Sequence, residues 1–238
     1  AMDPIVNQAA KWSYMSGGQA SPSVTIRGII NRGGEQGAQH SQALHAWFAH
    51  VPGLRVVMPS TVADARDLLI ASVLSKDPVM YIDDRWLYDQ EAELKPVVEL
   101  DLSIQKPLIT KSGKDITIVS SGHTSMLARN AAESLITKDI SCEVIDLRVL
   151  NPFFADDIIL SVKKTKNLLV VDSGTMTGSF SGEVISKVVE NIPISCLKNQ
   201  PKRLALPDAP APTSRALESS YYLKENDIED AVTNMLYK

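Results

Sequence analysis

The sequence predicts an α/β protein with two domains, each built on a parallel or mostly parallel sheet. Strand-like runs alternate with helical stretches of about 10–15 residues, the spacing that βαβ units require. The alternation falls into two blocks. Between them, residues 84–113 carry charges and prolines (Pro96, Pro107) with little periodicity, as a linker does. At 238 residues and 44% hydrophobic composition, the chain can bury the cores of two modest domains. We place them at 1–88 and 114–238, joined by 89–113.

In the first block a helical pattern (Ile5, Ala9, Trp12) precedes a strand at 23–30. A polar, glycine-rich loop at 31–39 leads into a short helix, whose buried face holds Leu44, Trp47, Phe48 and Val51 at i, i+3, i+4, i+7. Residues 54–58 form a second strand, ended by Pro59. Ser60 or Thr61 caps the next helix, with Asp64 in its first turn and Val62, Ala65, Leu69 and Val73 as its apolar stripe. Asp77 and Pro78 stop it before a third strand at 79–82.

The second block opens with a strand at 115–120 and a helix that faces inward through Leu127, Ala128, Ala131 and Leu135. A strand at 142–147, a short helix at 155–163 and a strand at 167–172 follow. A glycine-spaced loop (Gly174, Gly178, Gly182) starts a helix through Val184, Val188 and Val189, and 192–197 reads as the last strand. Beyond Pro207, Pro210 and Pro212, the C-terminal helix takes Asn226 as N-cap and Glu229 as capping-box partner, burying Ile228, Val232, Met235 and Leu236.

A formal charge of −4 argues against a nucleic-acid-binding domain. No apolar run approaches the ~20 residues of a membrane-spanning helix. Cys142 and Cys196 are too few for a zinc ribbon or a disulfide scaffold and suit a reducing compartment, a bacterial cytoplasm ranking ahead of a mitochondrial matrix. The opening residues lack the basic and apolar regions of a signal peptide and read as the interior of a longer chain. The loop at 173–182 matches neither phosphate-binding fingerprint, and Phe180 stands where a nucleophile elbow needs serine.

The histidines carry more information. His40, His45 and His50 recur every five residues, about 140° apart on a helix, so they cannot share a face as zinc ligands do. His45 is expected to face solvent, and His50 to complement a helix C-terminus. His123 has no comparable polar partners and reads as structural. His40 ends the glycine loop just past a parallel strand's carboxyl end, where such sheets hold ligands. An imidazole titrates near neutrality and can give or take a proton there. The residues alone leave a catalytic histidine and an ordinary loop histidine equally open.

Three motifs resemble a known family. They are Asn7-Gln8-Ala9-Ala10-Lys11 with Tyr14-Met15-Ser16-Gly17-Gly18, then Gly37-Ala38-Gln39-His40-Ser41-Gln42, then Pro52-Gly53-Leu54-Arg55-Val56-Val57. The family is the beta subunit of the decarboxylating component of thiamine diphosphate-dependent 2-oxo acid dehydrogenases, of pyruvate, branched-chain or acetoin type. The second block, with Val144-Ile145-Asp146-Leu147-Arg148 and Pro152, is similar to that family's transketolase-type C-terminal domain, and the first to a partial pyrimidine-binding domain.

The resemblance implies an α2β2 heterotetramer whose alpha chain holds the diphosphate and its magnesium. The 2-oxo acid is decarboxylated and the acyl group passes to a lipoyl arm of a transacylase core. His40 matches the active-site histidine proposed to handle a proton in that transfer, and with the resemblance it becomes the catalytic choice. Backbone carbonyls at Val24, Ser72, Val73, Ser75 and Asp77 match a structural potassium site.

No residue matches a contact to the organic cofactor, and Glu35 does not match the glutamate that protonates the aminopyrimidine. The chain is therefore expected to be a fragment, truncated at its N-terminus, that is inactive alone and leaves an edge of its first sheet exposed. It also departs from the family at 81–88, leaving the substrate open. Two rival readings stand beside this one: a split transketolase-like subunit that transfers ketol units, and a non-catalytic docking subunit.

Overall fold

The computed structural model describes residues 1–237 and builds two sheets joined by a shared apolar cluster. A π-helical stretch (Pro4–Ala9) runs into α1 (Ala10–Met15). Then come β1 (Thr25–Ile30), the short helices α2 (Gly37–His40) and α3 (His45–Ala49), β2 (Arg55–Val57), α4 (Val62–Leu74) and β3 (Val79–Asp84). The second half contributes β4 (Leu108–Lys111), β5 (Ile116–Ser120), α5 (His123–Leu135), β6 (Cys142–Asp146), β7 (Val149–Asn151), α6 (Asp156–Thr165) and β8 (Leu168–Thr175). It ends with α7 (Phe180–Glu190), β9 (Lys202–Leu206), α8 (Arg215–Tyr221) and α9 (Glu225–Leu236).

The first sheet has the order β1-β3-β2-β7, the second β4-β6-β5-β8-β9. Both are mostly parallel, as expected. Each also carries one antiparallel strand that the periodicity did not show: β7 on β2, and β4 on β6. The β7 strand belongs to the second half of the chain yet completes the first sheet. It follows Arg148, whose left-handed backbone (φ 59°) turns the chain across the junction.

Strand alternation sorts the helices onto two faces of the second sheet. Ile116 and Ile118 point to α5 and α9 and pack with Leu127, Leu135, Ile228 and Val232. On the other face Thr117 bonds the hydroxyls of Ser161 (2.6 Å) and Thr165 (2.7 Å) of α6. Val119 and Ile145 join Ile30, Val56, Met58 and Met80 of the first sheet in a single apolar cluster. That continuity fixes the two halves relative to each other.

Several elements differ from expectation. In α4 the buried positions are Asp64, Asp67, Leu68, Ala71 and Ser72, an i, i+3, i+4, i+7, i+8 face, while the predicted stripe turns outward, with Val73 63% exposed. The helix is rotated because Asp64 reaches inward to Arg148 (2.6 and 3.0 Å). In α3 His45 and Phe48 are buried, and Trp47, expected inside, is 62% exposed. Residues 194–196 form a 3-10 turn, and the last strand is β9. The α9 cap is Lys224, whose N–H donates to Asp227 at 2.7 Å, two residues ahead of the expected cap. The Thr61 cap of α4 is as predicted and accepts the Asp64 N–H at 3.1 Å.

The glycine of the turn before β2 is sterically obligatory. Gly53 has φ +96°, and a Cβ there would stand 1.8 Å from the Ala10 carbonyl oxygen. The Pro52-Gly53 turn is thereby pressed against α1, tying the N-terminal helix to the sheet.

Candidate functional site

His40 sits at the end of a loop that begins where β1 stops. Four residues of that loop have left-handed backbones: Gly33, Gly34, Glu35 and Gly37. Three are glycines, which take that conformation without strain. The loop is then closed on itself. The Asn31 N–H donates to the His40 carbonyl (3.1 Å), the Ser41 hydroxyl to the Asn31 carbonyl (3.2 Å), and the Asn31 amide to Gln36 (3.0 Å). From below, buried Arg32 pairs with buried Asp84, and Arg85 donates to Asn31 at 2.7 Å. From the second half, both Glu218 carboxylate oxygens accept the Glu35 N–H at 3.2 Å. The result is a pinned loop whose last side chain, His40, is exposed and makes no hydrogen bond among the described residues.

Its neighbours Gln39 and Ser41 line a cavity of about 690 Å³ between the two halves. The far wall is the carboxyl end of β8 (Ser173, Gly174) with Asp208 and Tyr221. Ser173 is buried and its hydroxyl has no partner.

His45 does not face solvent. It is 1% exposed, and its Nε2 lies 2.9 Å from an Asp172 oxygen on β8. Asp172 is a hub. It also accepts the N–H of Gly174 (2.8 Å) and of Ser181 (2.9 Å) in the first turn of α7. Burial alone would raise its carboxyl, but His45 and these two donors outweigh it and hold it below the usual carboxylate range. The glycine-spaced loop therefore offers its helix N-terminus to an internal carboxylate. A further polar contact between the halves joins Ser60 to Asp146, with Arg129 donating to the Ser60 hydroxyl at 3.0 Å. Burial pushes the Asp146 carboxyl up to about 6.

The remaining histidines separate as well. His50 is exposed at the C-cap of α3, as expected. His123 is buried at the start of α5, its ring 4.9 Å from that of Trp86; burial and the charge of Arg32 push its pKa down to about 3. Its ring makes no hydrogen bond among the described residues and belongs to an aromatic cluster. Among the described residues no group of three or more His, Cys, Asp or Glu side chains is placed to share a metal ion.

The five carbonyl positions gather where the end of α4 meets the start of β1. The Ser72 carbonyl accepts the Thr25 hydroxyl (2.9 Å) and the Ser75 N–H (3.3 Å), and the Val24 carbonyl accepts the Val79 N–H (2.9 Å). Val73 and Ser75 lie at the same turn, and the Asp77 carboxylate takes Arg55 at 2.6 and 2.9 Å. The Ser72 oxygen thus has both lone pairs used by protein donors.

The departing segment 81–88 carries its own pairs. Asp83 binds Arg27 (2.6 Å) and the Tyr88 hydroxyl (2.8 Å), and Asp84 binds Arg32. Glu35 is 3.9 Å from Arg215. Asp83 and Asp84 are therefore engaged by arginines, and Glu35 lies near one.

Comparison with known proteins agrees with this architecture. Residues 2–90 match the transketolase pyrimidine binding domain and residues 105–228 the transketolase C-terminal domain. The chain is 37% identical over 238 residues to the pyruvate dehydrogenase E1 component subunit beta of Rhizobium meliloti (strain 1021), covering 100% of this chain and 52% of that protein. It is 32% identical to the acetoin:2,6-dichlorophenolindophenol oxidoreductase subunit beta of Bacillus subtilis (strain 168), covering 98% and 68%. It thus spans between about half and two thirds of these relatives. A solved structure described as a split gene transketolase, inactive beta4 tetramer, superposes with a TM-score of 0.77 at 20% identity, covering 100% of this chain and 71% of that one. No helix among the described residues is long and apolar enough to cross a membrane.

Proposed function

The chain belongs to the family of E1 beta subunits with transketolase-type pyrimidine-binding and C-terminal domains, and from that premise we propose that it serves a 2-oxo acid dehydrogenase with His40 as its proton-handling residue. The observation that carries this reading is the state of His40. Its ring is exposed and free of hydrogen bonds, on a loop that both halves hold rigid at a strand's carboxyl end. A ring so placed within one chain is available to a reaction completed by another.

Thiamine diphosphate, when bound, would supply the means of losing carbon dioxide from the 2-oxo acid and of keeping the remaining unit at the aldehyde oxidation level, so that the electron pair left by decarboxylation reduces the dithiolane as the unit becomes an acyl group. This chain's residues fit a place beside that group rather than the task of holding it. No metal-ligating cluster occurs among the described residues; beside the loop, Asp84 is paired with Arg32, Glu35 lies 3.9 Å from Arg215, and the Glu218 carboxylate accepts the Glu35 N–H. In this proposal an alpha subunit, in an α2β2 assembly, holds the diphosphate and magnesium. The imidazole of His40 then moves a proton to a lipoyl sulfur as the dithiolane S–S bond opens and the other sulfur takes the acyl group. The acceptor is a lipoyl arm of a transacylase core.

The test is an assay of the chain in complex with an alpha subunit and thiamine diphosphate, offered a panel of 2-oxo acids and a lipoylated domain, or a ketose with an aldose phosphate. Acylation of the lipoylated domain is expected. Ketol transfer without such acylation would overturn the proposal.

A further inference from the structure

Three of the four left-handed residues in the His40 loop are backed, directly or through Trp86, by residues 213–222 of the second half. A Cβ on Gly37 (φ +68°) would stand 2.6 Å from Thr213 Oγ1. Gly33 lies against the indole of Trp86, which meets the ring of Tyr222 edge-on at 5.0 Å. Glu35 is the non-glycine of the four, and its φ of 64° is a strained conformation that a contact must maintain. That contact is Glu218 of α8, whose two carboxylate oxygens lie 3.2 Å from the Glu35 nitrogen. The second half thus grips the middle of the loop, while Asn31 and Ser41 close its ends.

Glu218 is unusual in what it faces. It is 7% exposed, and among the described residues its carboxylate makes no ion pair and no hydrogen bond except with the Glu35 N–H. A carboxylate withdrawn from water ordinarily meets a cation, as Asp84 meets Arg32. Here the single donor is a main-chain group two residues ahead of α2. That helix is one turn long, too short to hold its own shape, so its direction is set by the peptide that enters it. A shift of Glu35 passes through Gln36, the α2 N-cap, to His40, the last residue of the turn.

We propose that Glu218 is the positioning residue for His40: by holding the Glu35 N–H from the second half, it fixes α2 and with it the place from which the imidazole moves its proton. This rests on the proton-handling role given to His40, and the experiment separates the two. Glu218→Leu, Glu218→Gln and His40→Ala are compared with the parent, each in complex with an alpha subunit and thiamine diphosphate. Glu218→Leu should lower kcat for acyl transfer to a lipoylated domain about 100-fold, the scale of a reacting group misplaced by about 1 Å, with KM for that domain little changed. Oxidation of the 2-oxo acid by a dye, which needs no proton at a lipoyl sulfur, should keep its parental rate. Glu218→Gln retains an oxygen for the Glu35 N–H and should transfer nearly as fast as the parent. In amide exchange of the free chain, that N–H should be protected in the parent and in Glu218→Gln and lose its protection in Glu218→Leu. Parental transfer by Glu218→Leu beside a slow His40→Ala would overturn the proposal, as would dye-linked oxidation falling as far as transfer. Should Glu218→Leu not assemble, rapid exchange of the Glu35 N–H in the parent, or slow transfer by Glu218→Gln, would still overturn it. His40→Ala transferring at the parental rate would instead overturn the role of His40, and this one with it.

Discussion

Replacing His40 by alanine in the complex with an alpha subunit is expected to slow acyl transfer to a lipoylated domain by about 100- to 10,000-fold, the range for removal of a general acid or base. Cofactor affinity should change far less, since no residue of this loop is assigned to holding the cofactor. The melting temperature should stay where it is, because the ring is exposed and bonds nothing. The comparison of rates matters most. Equal losses in transfer and in cofactor binding would assign His40 a packing role and contradict the mechanism.

The second large effect belongs to stability. Asp172→Ala should cost about 1–3 kcal/mol or more, the range for leaving a buried hydrogen-bonding group without its partner. It strips an acceptor from His45 and from the N–H groups of Gly174 and Ser181 at one stroke. The pH dependence has a definite sign. The folded state holds the Asp172 carboxyl below its ordinary value of 3.8, so its stabilising contribution is present above that pH and is lost as pH falls through the folded value. The deficit of the variant, measured by urea denaturation, should therefore be full at pH 7 and shrink in acid. A double-mutant cycle with His45→Ala should show coupling; additivity within about 0.5 kcal/mol would mean the pair is incidental.

What the sequence revealed follows from how local each feature is. The His40 loop was legible because strand, glycine run and histidine lie within one short stretch, and the strand's direction fixes where the loop must sit. His45 was not, because its partner Asp172 lies 127 residues away, on the other sheet. The face of α4 was misread for a related reason: Asp64 occupies a core position only because Arg148 arrives from the second half to meet it. The last strand was misplaced because β9 is an edge strand opening with exposed Lys202 and Arg203, charges that suit an edge and break an apolar run. Tyr222, His123 and Arg32 gave no joint signal at all, since three separate segments bring them to Trp86.

The central claim is that His40 sits on a face that another chain completes. Carbethoxylation of the histidines, read by mass spectrometry with and without an alpha subunit and thiamine diphosphate, tests it directly. In the free chain His40 and His50, both exposed, should react while buried His45 does not. In the complex His40 should become protected. His40 reacting at an undiminished rate in a complex shown to have formed would contradict the account.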